Sequence, residues 1–128
     1  MKIPTVLSLF GGISSVSAYY CYGGGHRLSY SVAKFHFTRA CEGYSGIAGA
    51  FQGWFAPNQE KYACVDLGDN VKLEMWVKNH NPTTGFDLGD TDCTKEFNNI
   101  MEYCFYGFGG HNDVAGWYFR IDANEGTC

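Results

Sequence analysis

Six cysteines constrain the fold of this 128-residue chain more than any other feature of its sequence. An even number of cysteines in a small exported chain predicts a framework of structural disulfides, here three. A zinc site would need cysteine or histidine pairs two to four residues apart, whereas the two closest cysteines are eleven positions apart. Fifteen pairings are possible and the sequence does not choose among them. The six are Cys21, Cys41, Cys64, Cys93, Cys104 and Cys128.

The N-terminal segment has the order of a secretory signal. Lys2 is followed by an apolar stretch at 3–16 and by the small residues Val16, Ser17 and Ala18. The stretch is too short for a bilayer core of about 30 Å, so a retained transmembrane helix is the weaker alternative. We therefore expect residues 1–18 to be a cleaved signal peptide, and residues 19–128 to be a single cysteine-rich domain of a secreted, extracellular protein.

Composition and charge narrow the class further. The chain is 45% hydrophobic and 17% charged, which is typical of one globular domain. Its formal net charge is −4 and no run of basic residues occurs, which disfavours a nucleic-acid binder that neutralises phosphates. No continuous apolar span follows the signal, so stable membrane insertion is not expected either.

Helical spacing appears twice. Residues 26–43 place Leu28, Val32 and Phe35 on one stripe, with Phe37, Cys41 and Tyr44 on a neighbouring one, and Gly43 ends the pattern. The clearer helix is at 92–104, where one stripe holds both cysteines. We expect Thr91 or Asp92 to cap the start of this second helix.

Strand patterns separate and follow the two helices. At 71–78 apolar and polar residues alternate strictly, and 61–67 precedes them across a Gly68-Asp69-Asn70 turn, which predicts a hairpin. A last strand is expected at 117–122, after a flexible glycine-rich loop at 107–113. The aromatic segment 46–57 is expected to pack over the core as a strand or a loop. The order predicts an α+β fold: a two-layer sandwich of a small antiparallel sheet with two helices on one face, stapled by disulfides.

Two stretches resemble a known group of proteins. One is the cysteine-flanked amphipathic helix CTKEFNNIMEYC at 93–104; the other is the glycine loop leading to GWYFRIDANEGTC at 116–128, together with YAC at 62–64. They resemble small secreted cysteine-rich fungal proteins of the killer-toxin-like group and plant-infection effectors. The resemblance implies an α/β sandwich and secretion, and it carries over no active-site residue.

Aromatic residues are the main candidates for function. The chain contains 10 Phe, 9 Tyr and 3 Trp, more than a small core absorbs, so some should be exposed. Trp76 lies opposite the apolar face of its strand, and Tyr118 opposite that of the last strand. Phe108 and His111 lie in the glycine loop. We predict these four as binding residues, since exposed rings stack on sugars or anchor protein interfaces.

The sequence predicts no catalytic residue, metal or cofactor. None of the four histidines forms a close pair with another, so a metal site is not expected. A small secreted ribonuclease or other hydrolase is the alternative. It needs a general base, a general acid and a cation beside the phosphate, which Glu60, His36 or His111, and Arg120 could supply. The ordinary explanation of Arg120 is an ion pair with Asp122 or with a glutamate. The leading hypothesis is a secreted effector or toxin-like protein that binds a host or competitor protein without catalysis; a module binding cell-wall glycan is the third possibility.

Overall fold

A computed structural model of the protein describes residues 18–128, so all of the predicted signal peptide except Ala18 lies outside the described residues. The described chain forms two helices and seven strands. In chain order they are β1 (Tyr20–Cys21), α1 (Tyr30–Glu42), β2 (Trp54–Phe55), β3 (Glu60–Gly68), β4 (Val71–Asn79), β5 (Phe86–Asp87), α2 (Asp90–Tyr103), β6 (Gly110–Val114) and β7 (Trp117–Glu125).

Five strands form one antiparallel sheet in the order β1-β6-β7-β4-β3, while β2 and β5 form a separate pair. The predicted hairpin is confirmed as β3 and β4. Asp69 and Asn70 join the two strands with φ values of 52° and 59°, the left-handed conformation that tight hairpins require. The predicted α+β class with disulfide staples is therefore confirmed.

The core lies between the helices and one face of this sheet. Met75, Val77, Phe119 and Ile121 alternate along β4 and β7 and are fully buried. Phe97 of α2 is the centre of the core, with its ring centroid 5.7 Å from that of Phe37, 5.7 Å from that of Phe51 and 5.6 Å from that of Phe119.

Helix α1 lies inside the predicted range and buries part of the second of the two predicted stripes. Ser29 caps its start, because the Ser29 hydroxyl accepts a hydrogen bond from the Val32 amide at 3.2 Å. The buried residues of the helix are Ala33, Phe37, Ala40 and Cys41. Of the two stripes in the sequence, the second therefore supplies Phe37 and Cys41 to the core, whereas Val32 and Phe35 of the first are 41% and 52% exposed.

Helix α2 confirms the predicted amphipathic element, but the predicted cap is wrong. The helix begins at Asp90, so Thr91 and Asp92 lie inside it, and Gly89 is the cap residue with no side-chain hydrogen bond. Asp90 and Asp92 instead place negative charge in the first turn, where the helix dipole favours it.

The glycine-rich segment at 107–113 is only partly a loop, because Gly110 begins strand β6 between β1 and β7. Three backbones approach one another closely there. A Cβ on Gly109 would lie 2.3 Å from the Ile121 carbonyl oxygen, and one on Gly110 would lie 2.2 Å from that of Tyr20. The glycines therefore allow the strands to pair instead of making the segment flexible.

The aromatic segment 46–57 packs over the core only in part. Phe51 and Phe55 are buried as predicted, whereas Trp54 is 63% exposed. Strand β2, which contains Trp54, pairs with β5, and the Trp54 ring lies against the backbone at Gly85, where a Cβ would come within 2.4 Å of it.

All six cysteines are paired, as predicted. The bonds join Cys21 to Cys104, Cys41 to Cys93 and Cys64 to Cys128. The first ties the N-terminal strand to the end of α2. The second links the two helices, and the third fixes the C-terminus to β3.

One carboxyl group is buried in the core. Glu96 of α2 is 3% exposed and accepts a hydrogen bond from the Asn112 side-chain amide at 3.3 Å. Burial raises the pKa of Glu96 above its ordinary value, although the Asn112 hydrogen bond and the Lys95 charge oppose this. The folded state therefore binds this proton more tightly than the unfolded state does.

Glu96→Gln is expected to stabilise the protein at neutral pH, by on the order of 1 kcal/mol. The buried charge costs stability above the raised pKa, and wild type recovers this stability as the pH falls toward the ordinary value. The advantage of the variant should therefore shrink on acidification. Urea unfolding of both proteins at neutral and at acid pH measures it; an advantage that grew at low pH would contradict this account.

Candidate binding face

The sheet carries helices on one face only, and aromatic and charged side chains occupy the other. Because side chains alternate along a strand, the residues between the buried ones of β4 and β7 point away from the helices. The register aligns Tyr62 with Trp76, Trp76 with Arg120, Arg120 with His111, and His111 with Tyr20. One row of side chains thus crosses all five strands.

Arg120 lies at the centre of this row and is held by its neighbours. Its guanidinium carbon is 4.3 Å from the ring centroid of Trp76 and 5.7 Å from that of Tyr22. A guanidinium nitrogen lies 3.4 Å from the Asp122 carboxylate, which confirms the predicted ion pair. Stacking and pairing together fix the cation in one position.

Further rings extend the cluster on the β6 side. His111 stacks on Tyr20 with centroids 5.1 Å apart, and its ring is 5.5 Å from that of Tyr118 and 6.0 Å from that of Tyr22. Tyr62 contacts Trp76 on the β3 side at 5.3 Å. We call this surface the Arg120 face; it consists of Tyr20, Tyr22, Tyr62, Trp76, His111, Tyr118 and Arg120.

Tyr22 and Tyr62 of the face remain protonated at physiological pH, because the pKa of each is raised. Burial raises the pKa of Tyr22 to about 12, against the opposing effect of the Arg120 charge. The hydrogen bond to Glu74 raises the pKa of Tyr62, also to about 12. These hydroxyls therefore act as neutral hydrogen-bonding groups at the rim of the rings.

Glu74 and Asp122, the carboxylates beside Arg120, are engaged with neighbours. Glu74 accepts hydrogen bonds from Tyr62 and, at 2.7 Å, from Asn124, and Lys72 is 3.7 Å away. Burial alone would raise the pKa of Glu74, but these hydrogen bonds and nearby cations lower it below its ordinary value. Asp122 pairs with Arg120 and accepts from Asn124 at 3.3 Å. The charge of Arg120 is therefore compensated locally.

Three of the four predicted binding residues come together on this face. Trp76, Tyr118 and His111 are all half-buried members of it. Phe108 is not: it lies in the loop before β6, where the Arg27 guanidinium carbon is 5.0 Å from its ring centroid. Whether the four bind a ligand remains a prediction.

The sequence reasoning missed Tyr62. Its place on the face follows from the register of the hairpin, which aligns Tyr62 directly with Trp76. The two-residue Asp69-Asn70 turn alone would not have revealed this alignment, because a β-bulge between Asp66 and Gly68 shifts the register by one residue.

The residues of the hydrolase alternative divide between the two sides of the sheet. Glu60 aligns with Lys78, and Lys78 with Tyr118, so Glu60 lies on the same side as Arg120 and His111. His36 lies on α1, in the helix layer. The structure therefore brings Glu60, His111 and Arg120 to one surface and separates His36 from them.

Within residues 18–128, no group of three or more His, Cys, Asp or Glu side chains is arranged to hold a metal ion. In the same range, neither helix has the length and apolarity needed to cross a bilayer. Comparison of the sequence with models of protein families finds no match, and comparison with curated proteins finds none either.

Proposed function

We propose that this is a secreted effector or toxin-like protein that acts, without catalysis, by binding a protein of a host or of a competing microbe through the Arg120 face. Three disulfides are typical of extracellular proteins of this size, which supports an extracellular role. The observation that carries the proposal is the stack of Arg120 on Trp76 at the centre of a helix-free sheet face.

The composition of the face is that of a protein-binding hot spot. Trp, Tyr and Arg are the residues most enriched at such sites, and here they form the centre of a patch whose rim is polar. The nine-residue strands β3, β4 and β7, about 4.8 Å apart and about 30 Å long, together with the shorter β6 and β1 offer roughly 500 Å². A standard interface buries ~800 Å² per partner, so the face supplies more than half of one.

The face loses little side-chain freedom when a partner binds. Stacking on Trp76 and pairing with Asp122 hold the Arg120 side chain before any partner arrives. Ordering a long side chain otherwise costs about 0.5–1.5 kcal/mol on association.

A nucleic acid is a poorer fit than a protein. The Arg120 charge is compensated by Asp122, and Glu74 lies on the same face. The chain as a whole carries a net charge of −4. Phosphate groups would therefore meet no net positive surface here, and phosphate contacts supply most of the affinity in nucleic-acid binding.

Trp76→Ala is expected to weaken binding of the partner strongly. Affinity capture from extracellular extracts of candidate hosts or competitors, followed by calorimetry with the purified partner, measures the loss. We expect roughly 30-fold weaker binding or more, because truncation of a central hot-spot residue costs about 2 kcal/mol or more. Arg120→Lys, which keeps the charge but loses the planar stack, is expected to weaken binding in the same direction.

Trp54→Ala is the matched control, since Trp54 is 63% exposed on β2 and not part of the five-stranded sheet. Near-UV circular dichroism checks that each variant is folded. Equal loss in both tryptophan variants would overturn the proposed site. Binding to chitin or glucan that is lost with Trp76→Ala would favour the glycan module, and RNA degradation that is lost with His111→Ala or Glu60→Ala would favour the ribonuclease.

A further inference from the structure

A second surface feature lies on the helix side of the sheet, away from the Arg120 face. The C-terminal half of α1, the segment 44–50 and the β3 edge enclose a cavity of about 330 Å³. Its floor is formed by Ala63, Val65 and Met75 from the inner face of β3 and β4. This volume is within the range of small-molecule sites, about 300–1,000 Å³.

Two basic side chains, His36 and Arg39 of α1, line this otherwise apolar cavity. No Asp or Glu of the described chain is among its lining residues. No carboxylate of residues 18–128 lies within 4.0 Å of the Arg39 guanidinium either. In a protein of net charge −4, this leaves the cavity with an uncompensated positive charge.

Arg39 is preorganised by two aromatic rings. Its guanidinium carbon is 4.1 Å from the ring centroid of Phe35 and 3.9 Å from that of Tyr44. A guanidinium held between two rings keeps its edge free for bidentate hydrogen bonds to a carboxylate. Both rings are partly exposed, which places the cation where a ligand from solvent can reach it.

The segment beside the cavity is packed against α1, and the carbonyl groups at the end of this helix are already hydrogen-bonded. The Ala40 oxygen accepts from the Phe51 amide at 2.9 Å, and the Arg39 oxygen from the Gly43 amide at 2.8 Å. A Cβ on Gly49 would lie 2.3 Å from the Ala40 oxygen, so the segment is packed tightly against the helix. These carbonyls therefore do not compete with a ligand for Arg39.

We propose that this cavity binds a small amphiphile with a carboxylate head and a short apolar chain. The carboxylate pairs with Arg39 and accepts a hydrogen bond from His36, while the chain covers Ala63, Val65 and Met75. Burial and the Arg39 charge lower the pKa of His36, because both disfavour its protonated form. A bound carboxylate would offset the repulsion between His36 and Arg39. The site is independent of the Arg120 face.

Octanoate is the probe, and the methyl signals of Ala63, Val65 and Met75 in carbon–proton correlation spectra of the oxidised protein report on the cavity. We expect saturable shifts with a Kd on the order of 1 mM, which is ordinary for about ten heavy atoms. 1-Octanol, which has the same chain without the charge, is expected to bind roughly tenfold more weakly, because it loses a charge-assisted pair.

Arg39→Gln should weaken octanoate binding by a similar roughly tenfold factor, whereas Arg27→Gln, at an arginine that does not line the cavity, should leave it unchanged. Trp76→Ala should also leave it unchanged, which separates this proposal from the proposed function. Shifts that do not saturate would overturn the proposal. So would equal binding of octanoate and octanol, or octanoate binding that does not respond to Arg39→Gln.

Discussion

Reduction of the three disulfides is expected to unfold this protein at room temperature. The bonds span sequence separations of 83, 52 and 64 residues, and each long loop restricts the unfolded chain by about 4 kcal/mol in the loop-entropy model. A domain of this size has a net stability of only about 5–15 kcal/mol. Loss of all three restraints therefore removes an amount of free energy comparable with the whole.

The burial of the sulfurs predicts an order of reduction. Cys41 and Cys93 are each 1% exposed, between the two helices. Cys128 is exposed near the C-terminus, with its amide bonded to Asp66 at 2.8 Å. A reductant should therefore open the Cys64–Cys128 bond first and the Cys41–Cys93 bond last.

Near-UV circular dichroism with increasing reductant, combined with alkylation and mass spectrometry of the trapped thiols, tests both statements. The variant Cys64→Ala/Cys128→Ala is the control; it should fold with a loss of about 2–4 kcal/mol in urea unfolding. A fully reduced protein that kept its native near-UV spectrum would contradict the first prediction. Reduction of Cys41–Cys93 ahead of the others would contradict the second.

Local patterns in the sequence account for the elements that were predicted correctly. Strand β4 alternates apolar and polar residues without a break, and a left-handed turn precedes it, so both the strand and its hairpin partner could be identified. Helix α2 has a continuous apolar stripe ending in Cys104. Each of these patterns lies within about ten to fifteen residues. No contact with a distant part of the sequence is needed to interpret it.

The missed strands depend on partners far away in the sequence. Strand β6 contains Gly110, His111, Asn112 and Asp113, residue types with little strand preference, and it exists because β1 and β7 pair with it on either side. The two-residue strands β2 and β5 pair only with each other, about thirty residues apart. Propensity cannot reveal such pairings, because the stabilising contacts are made only in the folded chain.

Which stripe of α1 is buried depends on distant contacts for a related reason. Hydrophobicity does not separate the two stripes, but packing against α2 buries Ala33 and Ala40 with Phe37. The Phe35 ring lies outside, against the Arg39 guanidinium at 4.1 Å. An aromatic ring with a neighbouring cation thus remains partly exposed at little cost, since the cation covers one of its faces.

The Arg120 face shows the same division between local and distant information. Strand alternation placed Trp76 and Tyr118 opposite the buried residues of their strands. It could not show that Trp76 contacts Arg120, because that contact depends on the register between β4 and β7, which lie more than forty residues apart. The cluster is therefore a property of the sheet order, and the sequence supplied only its separate members.

Phe97→Ala is expected to be the most destabilising single substitution in the core, with a loss of about 3–5 kcal/mol. The Phe97 ring is fully buried and contacts rings from α1, from the segment after α1 and from β7. Its removal leaves a cavity where these three parts of the fold meet. They cannot collapse into this cavity without losing other packing contacts. Phe97→Leu keeps most of the volume and should cost less, about 1–2 kcal/mol.

Urea unfolding of the oxidised proteins measures these losses, with the slope of the transition checked for each variant. Phe105→Ala is the matched control, because the same truncation at a side chain that is 74% exposed should change stability by less than about 0.5 kcal/mol. A loss below about 1 kcal/mol for Phe97→Ala would mean that the disulfides, and not the aromatic core, hold the helices on the sheet. The Cys41–Cys93 bond joins the helices only to each other, and the Cys21–Cys104 bond ties only the end of α2 to the edge strand β1. The packing of Phe97 on Phe119 therefore attaches the middle of α2 to the central strand β7.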